Sequence, residues 1–345
     1  MSLRLIFGFV FLFFVFNLSA DTNSSSNFFE TYIDASQKTI SDKVVKWSDG
    51  IDKTVGSWIS TSDGDTTCDG EDMQNSIDEF FQSEKFINET EKSYLRISLG
   101  SLFQSKASTT FSYKISAQLP LSRTRKNYKL FIDDIEQNYF DDTASSTSKD
   151  ETAPNIGVNY FAKEFHGIES KYSIGFRGLS AFVRARYSRN FKVGKWTIEP
   201  TQQFKYSTKY FAEEETNIYF DRKLDNLSLF RVSLHRKTMA HYDGMDYSFA
   251  LSYYLTPKIY KGVSISQIFG GNTKFKYVIN STIPATLSEP FGGISNYVTS
   301  IGFRRSIWRE WITYEVQPAI SFHREYDYEV NYMLQLKLNF YFGSI

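Results

Sequence analysis

The feature that most constrains this chain is a strict alternation of apolar and polar side chains after residue 92. In 334–342, leucine or phenylalanine occupies every second position, and 110–121 and 312–322 alternate in the same way. Successive side chains of a β-strand point to opposite faces, so this period of two predicts strands with one apolar and one polar face. Each run matches the ~9–11 residues that a tilted strand needs to cross a bilayer.

The alternation predicts an all-β fold, a transmembrane antiparallel up-and-down barrel, rather than a soluble sandwich. A closed barrel turns its apolar face to lipid and its polar face inward, and Tyr and Phe at strand ends would form interfacial girdles. The single cysteine, Cys68, excludes an intrachain disulfide framework. We expect about fourteen strands, with twelve as the alternative, at 92–101, 109–121, 128–134, 156–164, 170–177, 181–190, 195–206, 215–223, 228–236, 245–255, 258–269, 294–306, 311–323 and 330–342.

An even strand number places both ends of the barrel on one side, which we expect to be the periplasm. The odd-to-even connections then point outward and include the long stretches 133–155 and 272–293. The even-to-odd connections are predicted to be tight turns, at 122–127, 191–194, 221–227, 256–257 and 307–310. Long outer loops and short inner turns are typical of bacterial outer-membrane barrels.

The chain before the alternation has two parts, 1–20 and 21–91. Residues 1–20 hold one cation, Arg4, then the apolar run 5–16 and a small residue, Ala20. This pattern predicts a cleaved signal peptide. Residues 21–91 contain 16 Asp and Glu against 5 Lys and Arg, a net charge of −11. They predict a separate acidic periplasmic segment ahead of a barrel domain at 92–345.

Helical spacing appears within the acidic segment. Apolar residues recur there at gaps of three and four, at Ile40, Val44, Trp47, Ile51, Val55 and Trp58. This spacing predicts one apolar stripe on a helix. The helices could pack on the rest of the protein as a hairpin, plug the barrel, lie on a surface or bind a periplasmic partner through 28–60.

Several short motifs resemble a family of functionally uncharacterised proteobacterial outer-membrane barrel proteins. These motifs are 94–96 (YLR), 119–121 (LPL), 183–187 (VRARY), 220–224 (FDRKL) and 311–318 (WITYEVQP), of which the last is the most specific. The resemblance covers roughly 77–345. It implies an outer-membrane barrel of a Gram-negative bacterium and no catalytic residue.

Enzyme motifs were sought and none was found. None of the four histidines is followed by x-Ser, and no G-x-S-x-G elbow occurs. His241 with Asp243, and the acidic pairs 133–134 and 141–142, supply the residue types of a barrel protease without a motif. We therefore expect no enzyme, with a lipid- or peptide-hydrolysing barrel as the least favoured alternative, and no metal or other cofactor. An exported chain without a basic aromatic stripe also disfavours nucleic-acid binding.

The polar parity of the predicted strands carries the candidate site residues. We expect a lumen lined by Arg96, Lys114, Arg184, Arg186, Glu199, Lys205, Arg231, His235, Glu315 and Lys337. Arg and Lys rings raise the local concentration of anions, so one hypothesis is a channel for small anionic solutes. The other is an interior closed by Arg–Glu pairs and polar hydrogen bonds, in a structural, envelope-organising barrel.

Two further partners are expected from the sequence. The last strand alternates Leu338, Phe340 and Phe342, which resembles the insertion signal of the barrel-assembly machinery, although 343–345 follow it. Exterior cations near the loops could bind the phosphates of lipopolysaccharide. The candidates for this lipid contact are Lys106, Arg236 and Lys237.

Overall fold

The computed structural model contains fourteen antiparallel strands. It describes residues 35–36, 38–43, 46, 81, 94–120, 128–133, 154–240, 244–258, 261–275, 291–307 and 309–343. The strands are β1 Tyr94–Gln104, β2 Thr110–Pro120, β3 Tyr128–Asp133, β4 Asn155–Phe165, β5 Ile168–Arg177, β6 Ser180–Arg189, β7 Trp196–Ser207, β8 Phe211–Lys223, β9 Ser228–Met239, β10 Asp246–Lys258, β11 Lys261–Phe275, β12 Phe291–Ile307, β13 Arg309–His323 and β14 Val330–Gly343.

Each strand pairs with its neighbours in the chain, and β1 pairs with β14 from Tyr94↔Gly343 to Gln104↔Met333. The β6–β7 pairing completes the ring, so the sheet is a closed barrel. A three-residue strand, Phe191–Val193, continues β6 past Asn190 and pairs with β7 as well. The fourteen-strand prediction is confirmed, and the twelve-strand alternative is wrong.

The two ends of the barrel differ in their connections. One end, the terminal end, holds the start of β1, the end of β14 and short turns such as His166–Gly167. Both residues of that turn have positive φ, as a two-residue hairpin turn of type I′ requires. The opposite end, the loop end, holds the longer connections 134–154 and 276–290. This asymmetry matches the predicted distribution of long and short connections.

Several predicted turn boundaries were wrong, because strands run further than their alternation does. β11 continues through Gly270 and Gly271 to Phe275, and β12 begins at Phe291, so the predicted loop 272–293 is shorter. Glycine is rare in strands and hides their pattern. The predicted turns 191–194, 221–227, 256–257 and 307–310 likewise include strand residues.

Few helical residues precede the barrel among those that the structure describes. The chain divides into two compact units, Met1–Lys43 and Val44–Ile345. In the first unit, residues 38–43 are helical, and the Thr39 hydroxyl donates to the carbonyl of Ala35 at 2.7 Å. Within the described part of the chain, every helix is too short or too polar to span a membrane. The predicted signal peptide and most of the predicted helical stripe lie outside the described residues.

At the loop end, the β1–β2 turn is tied to the β13–β14 turn across the β1–β14 seam. The backbone N–H of Lys106 donates to the side-chain oxygen of Asn331 at 3.1 Å, and the Lys106 ammonium pairs with Glu329. That ammonium lowers the pKa of the exposed Glu329 carboxyl below its usual value. These contacts hold the first and last strands in register at this end.

Two glycines bring β4 and β5 unusually close. Gly157 and Gly175 face each other in the register, and a Cβ on Gly157 would lie 2.2 Å from the carbonyl oxygen of Ile174. A Cβ on Gly100 would instead meet the movable Ser112 hydroxyl at 2.7 Å. Backbone cannot move aside as a side chain can, so glycine is required at position 157.

We therefore expect Gly157→Ala to reduce the yield of folded barrel strongly and Gly100→Ala to leave it near the wild-type level. The measurement is the folded fraction by heat-modifiable mobility on gels after refolding in detergent. Equal folded fractions for the two variants would contradict the close approach of β4 and β5.

The lumen as a candidate functional site

The two faces of the barrel wall differ in chemistry as the alternation predicts. On the outer face, large apolar side chains are exposed, for example Phe111 at 77%, Tyr113 at 78% and Ile174 at 61%. Inward side chains of the same strands, such as Ser116 and Ser173, are buried. An apolar band of this extent on a closed barrel is suited to lipid and not to water.

The inward face carries more cations than carboxylates. Away from strand ends, the inward Lys and Arg are Arg96, Lys114, Lys129, Lys171, Arg184, Arg186, Lys205, Arg231, Lys237, Arg304 and Lys337. The inward carboxylates at such positions are Glu169, Glu199, Glu213, Glu215, Asp221 and Glu315. These residues lie in the described strands, and eleven cations against six carboxylates give their inner wall a net positive charge.

Charged residues near the terminal end form a tightly buried layer. Arg96, Glu199, Asp221, Arg231 and Arg304 lie within a few residues of that edge, and each is at most 4% exposed. Among them, the Arg231 guanidinium donates to both carboxylate oxygens of Asp221, at 2.7 and 2.8 Å. Ions survive such burial only when they are paired and hydrogen-bonded. These charged side chains are therefore withdrawn from solvent at this end of the barrel.

One residue of the acidic segment lies inside this layer. The Arg304 Nη1 atom donates to the carbonyl oxygen of Phe81 at 3.1 Å, and the Phe81 ring lies 5.1 Å from the ring of Tyr254. Tyr254 on β10 and Arg304 on β12 both have inward parity. Phe81 therefore occupies the lumen near the terminal end.

Near the loop end of β7, β8 and β9, the charges are paired but less buried. Lys205 lies 3.1 Å from Glu213, whose other oxygen lies 3.6 Å from Lys237. Gln203 donates to Glu215 at 3.1 Å. The side chains of Lys205, Lys237 and Glu215 are 13–22% exposed. These side chains are therefore more accessible to solvent than those of the buried layer.

The predicted lumen residues all have inward parity, and the structure divides them between these regions. Arg184, Arg186 and Lys205 lie on the adjacent strands β6 and β7, and Arg184 is the register partner of Lys205. The Arg184 guanidinium donates to the Ser173 hydroxyl at 3.3 Å and lies over the ring of Phe131. These three predicted cations therefore share one wall in a continuous group.

The remaining predicted site residues lie apart from that group. Arg96 and Arg231 belong to the buried layer of the terminal end, as does Glu199. Glu315 lies 3.9 Å from Arg304 and is the register partner of Lys337 on β14. Lys114 lies on β2, in register with Ser98. The ten predicted residues therefore do not form one ring.

The predicted insertion-signal residues lie on the outer parity of β14. Phe342 is 6% exposed, and the ring of Trp311 on β13 lies 5.7 Å from it and 6.4 Å from that of Phe340. Leu338 is the register partner of Leu99 on β1. These residues therefore lie beside the seam where the barrel closes.

The three predicted lipid-binding cations lie in three different places, namely the lumen, the outer face and the loop end. Lys237 was predicted to be exterior, and that placement is wrong: β9 runs to Met239, so Lys237 points inward toward Glu213. Arg236 is on the outer face, 2.6 Å from Glu214. Lys106 is paired with Glu329 at the loop end.

His235 is the inward histidine of this part of the lumen. Its Nδ1 atom lies 2.7 Å from the side-chain oxygen of Asn217 and 3.6 Å from Glu215. Ser248 is its register partner on β10. A hydroxyl nucleophile would need a hydrogen bond to the imidazole, and in the described residues the contacts of His235 are with the amide and the carboxylate.

Sequence reasoning missed several residues of the lumen. Asp221 was placed in a turn, and Phe81 in a separate segment, although both lie in the buried layer. A second omission is an apolar inner patch near the loop end, where the alternation predicts polar residues. Its members are Leu102, Ala250, Ile268, Val298, Ala319 and Met333. Inward parity alone could have located this patch, because each strand places one apolar residue at the same level.

A closed antiparallel barrel with an apolar outer wall and a polar, charged lumen defines the class of membrane-spanning β-barrels. No protein-family model and no curated protein sequence matches the chain. Solved structures with a similar fold are outer-membrane proteins. They include a loop-deletion mutant of OmpT, an outer membrane protein of Vibrio cholerae, with a TM-score of 0.46 at 7% identity, covering 72% of this chain and 98% of that chain.

Two other similar structures are porins. An anion-selective porin from Comamonas acidovorans has a TM-score of 0.44 at 6% identity, covering 72% of this chain and 98% of that chain. The KdgM porin has a TM-score of 0.33 at 6% identity, covering 71% and 98%. Identities this low concern the fold alone.

Proposed function

We propose that this barrel is an integral outer-membrane channel of a Gram-negative bacterium that favours small anionic solutes. The observation that carries the proposal is the excess of inward cations, concentrated where Arg184, Arg186 and Lys205 share one wall. A wall of positive charge within a low-dielectric boundary raises the local concentration of anions. No covalent chemistry is part of this function.

Carboxylates beside these cations support a selective rather than a general pore. Glu213 and Glu215 on β8 face the lumen beside Lys205 and Lys237. Carboxylates next to each cation weaken the binding of an anion there. An anion can therefore pass from one cation to the next without being held tightly by any of them. Conduction requires such weak, repeated binding.

The test is ion selectivity in planar bilayers. We expect Arg184→Ala with Arg186→Ala to lower the anion-to-cation permeability ratio about sevenfold, since a change of one kT in potential lowers the local anion concentration about threefold and raises the local cation concentration by the same factor. The matched control is Arg189→Ala with Arg222→Ala, which removes the same charge from the outer face near the terminal end.

A channel with cation selectivity that the Arg184 and Arg186 changes leave unaltered would refute the anion preference. Equal effects of the inner and outer double variants would also refute it, because surface charge would then set the selectivity.

A second candidate is a closed-lumen, envelope-organising barrel whose N-terminal segment binds a periplasmic partner through 28–60. The buried layer at the terminal end and the position of Phe81 favour this candidate. Deleting 28–60 distinguishes the closed-lumen barrel from the channel.

Loss of a captured periplasmic partner with no change in conductance supports the closed-lumen barrel. A change in conductance supports the channel.

Lipid and assembly partners follow from the same proposal. The outer-membrane lipids, with lipopolysaccharide in the outer leaflet, would cover the apolar wall. The barrel-assembly machinery would bind β14 during insertion, through Leu338, Phe340 and Phe342.

A further inference from the structure

The outer wall carries a charged polar patch among outward side chains that are mostly apolar. The patch consists of Gln202 on β7, Glu214 and Thr216 on β8, and Arg236 on β9. Arg236 lies 2.6 Å from Glu214, and Gln202 exchanges hydrogen bonds with both β8 residues, at 3.1 Å to Glu214 and 2.7 Å to Thr216. Side chains of even number on these strands face outward, because their odd-numbered neighbours are the lumen residues.

The charged pair of the patch begins three residues inside the loop-end edge of β8 and β9. Gln202, Thr216 and Arg236 are aligned by the register of β7, β8 and β9. Toward the loop end β7 continues with Phe204 and Tyr206, and Glu214 is the register partner of Phe204. Aromatic girdles mark the edges of the hydrocarbon region of a barrel. The ion pair therefore lies level with the Phe204 ring and on the hydrocarbon side of Tyr206.

Hydrocarbon is a poor environment for this patch. Both charged side chains are about 40% exposed, at 42% for Arg236 and 40% for Glu214. Charged side chains on the lipid face of a barrel are destabilising, most of all near the midplane. Burial against a polar protein surface removes that penalty, whereas acyl chains do not.

A groove extends from the patch across the outer face. Its volume is 890 Å³, and its walls include Glu214 and Thr238 of the patch region together with Tyr172, Ile174, Val183 and Phe204. Most of its lining residues have outward parity, although the inward residues Arg184, Lys205 and Glu213 also border it, so the groove follows the outer face. Patch and groove therefore form one continuous surface that joins a charged pair to an apolar area.

We propose that this surface is where a second copy of the chain docks. The patch holds one cation and one anion side by side, so it is complementary to itself. Under a two-fold axis, Arg236 of each copy meets Glu214 of the other, as an isologous interface requires. Lipid is the competing occupant, and its acyl chains carry no charge to pair with either residue.

The experiment uses disulfide trapping in native membranes of cells that express the full chain. The single native cysteine is replaced by Cys68→Ser, and Thr216→Cys is introduced at the centre of the patch. We expect oxidation to give a covalent dimer. The matched control is Ile265→Cys on β11, an outward position that is 48% exposed on another part of the wall, and we expect it to remain monomeric.

A charge exchange between two chains tests the pairing itself. Arg236→Glu makes the patch acidic and Glu214→Arg makes it basic, each in the Thr216→Cys background. We expect each variant alone to lose at least about tenfold in cross-linked dimer, because like charges meet. Co-expressed with different tags, the acidic and basic variants should restore a mixed dimer, which no contact within one chain can produce.

Heat-modifiable mobility on gels shows that every variant is folded before oxidation. Absence of a Thr216→Cys dimer in folded protein would overturn the proposal, as would equal cross-linking at Ile265→Cys. Folded single variants that cross-link as well as the parent would overturn the charge pairing. Because the readout is cross-linking, it is independent of whether the lumen conducts ions.

Discussion

Removing the Phe81 contact is expected to raise the conductance of the barrel at least about tenfold. Phe81→Ala removes the ring that lies 5.1 Å from Tyr254, and Arg304→Gln removes the donor to the Phe81 carbonyl. A ring pair contributes ~0.5–1.5 kcal/mol and a hydrogen bond from a charged donor ~1.5–3 kcal/mol. Each 1.4 kcal/mol changes the ratio of molecules with Phe81 bound in the lumen to molecules with Phe81 released by about a factor of ten. The combined change therefore favours release of Phe81, which opens the terminal end.

The measurement is single-channel recording in planar bilayers, comparing wild type with Phe81→Ala, Tyr254→Ala and Phe81→Ala with Arg304→Gln. Tyr253→Ala is the matched control, since this tyrosine is the outward neighbour of Tyr254 on β10. Folded variants with the conductance of wild type would show that Phe81 does not limit conduction, and would favour the closed-lumen barrel.

Breaking the Asp221–Arg231 pair is expected to destabilise the barrel by about 3–5 kcal/mol, the effect of leaving one ion of a buried pair without its partner. The two side chains are 2% and 4% exposed. The Arg231 guanidinium also lies over the rings of Tyr219 and Tyr254, at 5.4 and 5.8 Å. Asp221→Asn leaves that guanidinium enclosed by aromatic rings without its counter-charge.

Urea unfolding in lipid vesicles, followed by tryptophan fluorescence, measures this change. The double variant Asp221→Leu with Arg231→Met should lose much less stability, because apolar residues that replace both ions remove the desolvation penalty. Glu329→Gln is the exposed control, since the Lys106–Glu329 pair lies in water and should matter little. Equal losses for Asp221→Asn and the double variant would contradict the argument.

The barrel could be predicted from the sequence because each strand has one apolar and one polar face. The resulting two-residue period is visible within a single strand. In β14, every second residue from Leu334 to Phe342 faces outward, and this suffices to define strand, parity and length. The strand ends were harder to place. Gly270 and Gly271 carry no side chain to continue the pattern, and Asp221 looks like a turn residue until Arg231 is placed opposite it.

The lumen site could be predicted only by parity. The inward direction of Arg184 and Arg186 follows from their strand alone, but their closeness to Lys205 requires the register of β6 with β7. The outer patch was not foreseen, because Gln202 and Arg236 are polar residues on the apolar parity. Nothing local relates Phe81 to Arg304, since the contact is between residues far apart in the chain.

The Phe81–Arg304 contact joins residues that are 223 positions apart. Its acceptor precedes the sheet in the chain, whereas the donor lies on β12 and the ring that Phe81 meets lies on β10, both in the last third of the sequence. The contact can therefore form only after the second half of the chain has joined the sheet, so its presence reports that the barrel is complete.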